Sequence, residues 1–208
     1  AWKEMLATVN KAADDAYYYR LQGLDAEGMP DTTEALLDID GFIDYMLINQ
    51  YGGNTDWDHH NWYAIRKRGV DTKGFHFLCW DTEQIFEGLY DNNLSTNNHH
   101  NPTWIFHTLL QNKKFVNRYL KRAKQMLSED GFLGESSVLE LWDSLYQVVS
   151  KAVYVESARW GDYRRDVHQY NGGSYPLYTV DEHFMSERNR LLTDYFPKRS
   201  DVALSNIN

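Results

Sequence analysis

A single cysteine, Cys79, stands in 208 residues, so no intramolecular disulfide framework holds this chain and cysteine usage leaves its compartment open. Cys79 lies inside an apolar run, which reads as a buried, inert thiol rather than a nucleophile. Basic charge is short as well: 21 Lys and Arg against 30 Asp and Glu leave a formal net charge of -9. That balance argues against a general binder of nucleic acid or of an anionic membrane, which needs summed positive charge to displace counterions. A local basic patch is still compatible with it. No apolar run approaches the ~18 residues of a membrane span, and no basic, apolar, small-residue leader opens the chain. Because the chain starts at Ala1 directly in an amphipathic pattern, the expectation is a mature or excised piece with an upstream partner.

What is present suits one substantial core, and one domain over residues 1–208 is expected. Hydrophobic residues make up 42% and charged residues 25%, ordinary for a folded soluble chain and too apolar for a disordered one. Aromatic residues are in surplus, at 15% with 7 Trp and 15 Tyr. Buried rings fill cores; exposed Tyr and Trp suit carbohydrate or protein contact.

Periodicity predicts a mainly α chain with one β-hairpin. Apolar residues from Trp2 to about Arg20 recur at three and four, and Gly23 to Asp31, with Gly28 and Pro30, ends that helix. A second helix is expected from Asp40 as N-cap through Phe42, Ile43, Met46, Leu47 and Tyr51 to the stop at Gly52-Gly53. Strand-like runs Trp62–Arg66 and Phe75–Trp80 flank a turn at Gly69–Gly74. The second run is near-continuously apolar, which predicts burial on both faces.

Glu83–Tyr90 reads as a helical turn and Asp91–Pro102 as a polar loop. Helices are expected over Thr103–Gln111 and Lys114–Leu127, and again after Gly131–Gly134, where Ser137 and Glu140 have capping-box spacing. That helix runs towards Arg159, or on to Val167. Asn171–Pro176 reads as a loop, Thr179 with Glu182 repeats the capping box, and a last helix ends before Pro197, leaving a frayed tail beyond Arg199.

Polar chemistry concentrates between Asn54 and Glu83. Asp56 and Asn61 stand just before the first strand and Asp81 just after the second, so the hairpin brings them to one end. Their spacing is Asp-x-x-x-x-Asn, as in a kinase catalytic loop, where the Asp accepts the proton of the attacking hydroxyl and the Asn amide oxygen turns to Mg²⁺. On spacing alone the same residues fit a turn at Asp56 and a helix cap at Asp81. Arg66, Lys67 and Arg68 follow the first strand as candidates to contact phosphate or an acidic substrate, or as a solvated turn. His59 and His60 beside Asp56 and Asp58, and His99 and His100 further on, suggest a transition-metal site. Adjacent histidines diverge on a regular backbone, so surface loop residues are the preferred reading. Arg159 and Trp160 read as a stacked pair, in the core or on an interaction surface.

Phe42-Ile43-Asp44-Tyr45, Asn54-Thr55-Asp56-Trp57, Asn61-Trp62-Tyr63 and Phe75-His76-Phe77-Leu78-Cys79-Trp80-Asp81 resemble the spore-coat CotH kinase family. The family reads as a helix, N-x-D-W, N-x-Y and W-x-F-I-P-W-D-x-D. The likeness continues through Phe115–Leu127 and Ala158-Arg159-Trp160-Gly161, so it spans most of the chain. It implies the helical carboxyl-terminal lobe of a protein-kinase-like fold, with the small hairpin at about residues 62–80. It implies transfer of the γ-phosphate of ATP to protein side chains with Mg²⁺ or Mn²⁺, Asp56 as the catalytic carboxylate, and Asn61 and Asp81 as metal ligands. Glu83 stands where the family has a second Asp, which changes the reach of a further metal contact. Arg66 and Lys67 are the candidates for contact with the nucleotide cofactor.

No stretch before Asp40 reads as the Gly-rich cover and phosphate-binding Lys of an upstream lobe. The chain is therefore expected to be the carboxyl-terminal lobe alone, inactive in isolation, with that lobe in the parent protein. The resemblance also implies an extracellular or cell-surface location, with substrate and surface partners open. The other reading is a non-catalytic module that binds glycan or protein through an aromatic-rich surface.

Overall fold

The helix α3, Ile39–Gly52, is buried around most of its circumference, with Phe42, Ile43, Tyr45, Met46, Leu47 and Tyr51 in the core and the line Asp40, Asp44, Ile48 less covered, and the other elements pack around it. The structure, a computed structural model, describes every residue except Val70 and Asn171. The turn expected at Gly69–Gly74 and the loop expected at Asn171–Pro176 each include one of these, which lies outside the described residues. Asp38, not Asp40, caps α3, its carboxylate accepting from the Gly41 amide at 3.1 Å. Asp40 is turned to α5, Lys113–Met126, where Arg118 grips it with two bonds of 2.6 Å. At the other end of α3, Gly53 takes the left-handed conformation, φ 61°, that lets the chain leave the helix sharply.

The expected first helix is broken in two, α1 (Trp2–Val9) and α2 (Asp15–Leu21). Asp14 accounts for the break: its side chain accepts from the Ala16 amide at 2.8 Å and starts a new helix instead of continuing the old one.

Strands β1 (Trp62–Ile65) and β2 (His76–Cys79) form an antiparallel pair in the register Trp62 to Cys79 and Ile65 to His76. Burial of β2 on both faces is not what forms. Phe77 alone is buried, its ring 5.1 Å from Phe42, while Leu78 faces outward beside Tyr63 and Ile65. Helices cover only one side of this sheet, so its apolar residues divide between core and surface. The chain before α3 runs along the hairpin, with Phe75 donating to the Leu36 carbonyl at 2.9 Å and Asp38 to that of Phe75 at 3.1 Å.

Glu83–Tyr90 forms no helix; it is tied to the end of α3 by Phe86, whose amide donates to the Gly52 carbonyl at 2.8 Å. α4 (Pro102–Leu109) and α5 follow as expected. α6 (Glu135–Trp160) starts two residues before Ser137, with Gly134 at the N-cap, so the Ser137 capping box is not used. It is followed by α7 (Tyr163–Asp166).

Thr179 does cap, accepting from the Glu182 amide at 3.3 Å. It opens a run of π-turn Val180–Phe184, α8 (Met185–Arg190), π-turn Leu191–Tyr195 and α9 (Phe196–Ile207). The expected stop at Pro197 and the frayed tail are therefore corrected. Pro197 occupies the first turn of α9, where a missing amide hydrogen has no bond to lose. Among the described residues no helix is long and apolar enough to cross a membrane.

Candidate functional site at the foot of the hairpin

Between α3 and β1 the loop is held by buried amides. The Asn54 backbone amide donates to the Asn49 carbonyl at 3.1 Å, and its Nδ2 to Asn49 Oδ1 at 3.0 Å. Asn93 Nδ2 reaches the carbonyls of Asn49 and Asn54 at 3.1 and 3.2 Å. Trp57 lies beneath the loop, its Nε1 donating to the Tyr45 hydroxyl at 2.6 Å. Burial pushes that phenol well above its ordinary pKa, so it stays neutral and able to accept.

Asp58 is fully buried. Its carboxylate accepts from the Thr103 amide at 2.7 Å and from Asn98 Nδ2 at 2.6 Å, which caps the start of α4 from 45 residues away. Its backbone is left-handed, φ 85°.

On this frame Asp56 and Asn61 come together. Asn61, 4% exposed, donates from Nδ2 to the Asp56 backbone carbonyl at 2.8 Å and to its Oδ2 at 3.3 Å. The amide nitrogen is thereby committed, and among the described residues no hydrogen bond reaches the Asn61 oxygen. Asp81 is exposed, with φ 50°, two residues past Cys79. Cys79 pairs with Trp62, so the hairpin returns Asp81 to the end of the sheet where Asn61 enters it. Glu83 is exposed on the irregular segment that follows. Asn61, Asp81 and Glu83 each offer oxygen donors, the chemistry that suits a hard divalent cation such as Mg²⁺ or Mn²⁺.

Arg66 is turned to a structural partner. Its guanidinium pairs with Glu34 at 2.5 Å and donates to the Ala35 carbonyl at 3.3 Å, fastening the hairpin to the chain before α3. Lys67 is exposed in the turn, 3.9 Å from Asp71.

The histidines hold the main departure from expectation. His59 and His60 do not diverge; their rings sit 3.9 Å apart at 84°. Among the described residues, Asp56, His59 and His60 are the one group of three or more His, Cys, Asp or Glu whose ligand atoms all lie within 4.8 Å of one another. The left-handed turn at Asp58 breaks the regular backbone on which neighbours alternate. No sequence signal marks that turn, because Asp58 is assigned its conformation by its distant partners Asn98 and Thr103.

Cys79 is exposed at the strand end and not buried as expected. Its sulfur still accepts from Asn49 Nδ2 at 3.4 Å, and desolvation of the thiol on that inner side holds its pKa above the usual cysteine value, consistent with inertness. Arg159 stacks 4.8 Å over Trp160, on a half-exposed ring at the end of α6 rather than in the core.

A sequence model of the CotH family, described as CotH kinase protein, matches residues 2–201. Searches of the curated proteins and of the solved structures found no match. With nearly the whole length matched, and a helix, loop and hairpin joining the motif residues, this chain belongs to the CotH kinase family.

Proposed function

We propose that this chain is the helical lobe of an ATP-dependent protein phosphotransferase. The observation that carries the reading is the Asn61 side chain, which bonds Asp56 through its nitrogen, and not through its oxygen, at the foot of a hairpin that returns Asp81. Asp56 takes the proton of the attacking substrate hydroxyl while the γ-phosphoryl group passes to that oxygen and ADP leaves. Asn61 and Asp81, with Glu83 as a longer-reaching third donor, hold Mg²⁺ or Mn²⁺. That ion supplies charge neutralisation for the phosphates.

Residues before α3 fold as α1, α2 and an irregular segment, which supports assigning the phosphate cover and clamp to an upstream lobe of the parent protein. Without that lobe the chain positions nucleotide poorly and does not transfer phosphate, because positioning is most of what this chemistry requires. Export to the cell surface, and a protein substrate met there, complete the proposal.

Calorimetry of ATP with Mg²⁺ or Mn²⁺ on the protein joined to its upstream lobe tests it. Binding heat present in the wild type and absent in Asp81→Ala is expected; identical titrations would sink the reading. A second reading draws on Tyr63 and Trp80, exposed rings packed edge to face at 5.3 Å. They suit a non-catalytic surface for glycan or protein, which the identical titrations would favour.

A further inference from the structure

We infer that Asp56, His59 and His60 form a binding site for a divalent transition-metal ion of the zinc class, different in donor chemistry from the all-oxygen set of Asn61, Asp81 and Glu83. The three ligand atoms lie within 4.8 Å of one another. Around a tetrahedral Zn²⁺, with bonds of about 2.0–2.2 Å, ligand atoms stand about 3.4 Å apart. Small rotations of two exposed rings close that gap.

The support beneath them is built. Asp58, between Asp56 and His59, is fully buried and fixed by Asn98 and Thr103, so the turn that aims both rings to one side is rigid. Asn61 Nδ2 lies 3.3 Å from Asp56 Oδ2 and orients that carboxylate, as outer partners of metal ligands do. Two imidazoles and one carboxylate, with an open fourth position, select Zn²⁺, Co²⁺ or Ni²⁺ over Mg²⁺, which takes oxygen donors. A formal net charge of -9 favours any cation. An ion seated here occupies the Asp56 carboxylate. If Asp56 is the proton acceptor, the bound metal holds the enzyme off; that consequence rests on the phosphotransfer reading, whereas the site does not.

The test is titration of Zn²⁺ into the full chain, stripped of metal and of any polyhistidine tag, by calorimetry, with Co²⁺ absorption as a second readout of nitrogen ligation. One equivalent is expected, and His59→Ala, His60→Ala and Asp56→Asn should each weaken binding by ~10-fold or more, since even an outer partner is worth roughly 10–100-fold. The side chains replaced are exposed or half-buried, so the variants should melt as the wild type does. His99→Ala should bind as the wild type. Affinity unchanged in His59→Ala, or lowered equally in His99→Ala, would overturn the site, whatever the chain does with ATP.

Discussion

Arg199 Nε donates to the Tyr51 carbonyl at 2.6 Å across 148 residues of chain, and this bond joins the last helix to the end of α3. The same guanidinium donates to the carbonyls of Gln50, Asp91 and Leu89 at 2.7, 2.9 and 2.5 Å. Arg199 is fully buried and faces no carboxylate in those bonds. Its charge is answered by the carbonyl end of α3, where the helix leaves acceptors unpaired and partial negative charge gathers. Tyr195 adds a bond to the Tyr51 carbonyl at 3.2 Å; burial pushes its phenol up to about 12, so it remains a donor at neutral pH.

Arg199→Met should therefore cost about 3 kcal/mol or more, because it leaves several buried carbonyls without donors. Arg199→Lys keeps the charge but loses the planar fork, and should fall between wild type and Arg199→Met. Urea midpoints measure both. Equal stability of the Arg199→Lys and Arg199→Met variants would mean that packing, not the donor array, is what Arg199 supplies.

Gly74 sits at φ 94°, and a Cβ there would run into the Leu37 amide nitrogen. Both strain and collision oppose any side chain, and the collision is with backbone that cannot swing aside. Gly74→Ala should destabilise by about 2 kcal/mol or more, with the hairpin pushed off the Leu36–Asp38 segment. Amide exchange at Phe75 and Asp38 should accelerate before global unfolding, and unchanged protection there would show that the segment adapts freely.

The parts legible in the sequence were those fixed by local rules. α3 carried a helical period with a Gly-Gly stop, and the hairpin carried two apolar runs around a turn, so Asp56, Asn61 and Asp81 could be placed at one end. What was missed was set by distant partners. Arg199 falls at the edge of the tail expected to fray, because Pro197 reads as a stop, although a proline is also at home in the first turn of a helix. β2 looked doubly buried because its composition says nothing of which layers cover it. Convergence of His59 and His60 depended on one left-handed residue, Asp58, held by Asn98 and Thr103 far along the chain.

Asp40 and Arg118 tie α3 to α5 through paired bonds of 2.6 Å. The hydrogen bonds from Arg118 hold the Asp40 carboxyl below its ordinary pKa, so its contribution is complete above the unfolded value of about 3.9. It fades as pH falls through the folded value. With the Asp40 side chain 64% exposed, water and salt limit the pair to about 0.2–1 kcal/mol. The stability difference between wild type and Asp40→Asn should be steady from about pH 5 to 8 and disappear on acidification once the carboxyl is protonated in the folded state as well. It should also shrink in high salt. A difference that grows on acidification would contradict the assignment.

Asp58 combines two tasks that substitutions can separate. Its carboxylate caps α4 and binds Asn98, and its left-handed backbone aims the following histidines. Asp58→Asn keeps one oxygen for the Thr103 amide, tolerates φ 85° and leaves Asn98 free to turn its amide, so a loss of about 1 kcal/mol is expected. Asp58→Gly tolerates the backbone but removes both acceptors, stranding the buried Thr103 amide, for about 2–3 kcal/mol. Asp58→Ala loses the acceptors and keeps a Cβ in the left-handed region without the short polar side chain that lets Asp adopt it, costing about 1 kcal/mol more than Asp58→Gly. Thermal unfolding should rank them Asn, Gly, Ala in order of increasing damage. If Gly matches Asn, the cap contributes little and backbone conformation alone explains the residue; if Gly is as damaging as Ala, the turn carries no strain and the carboxylate is what holds the loop.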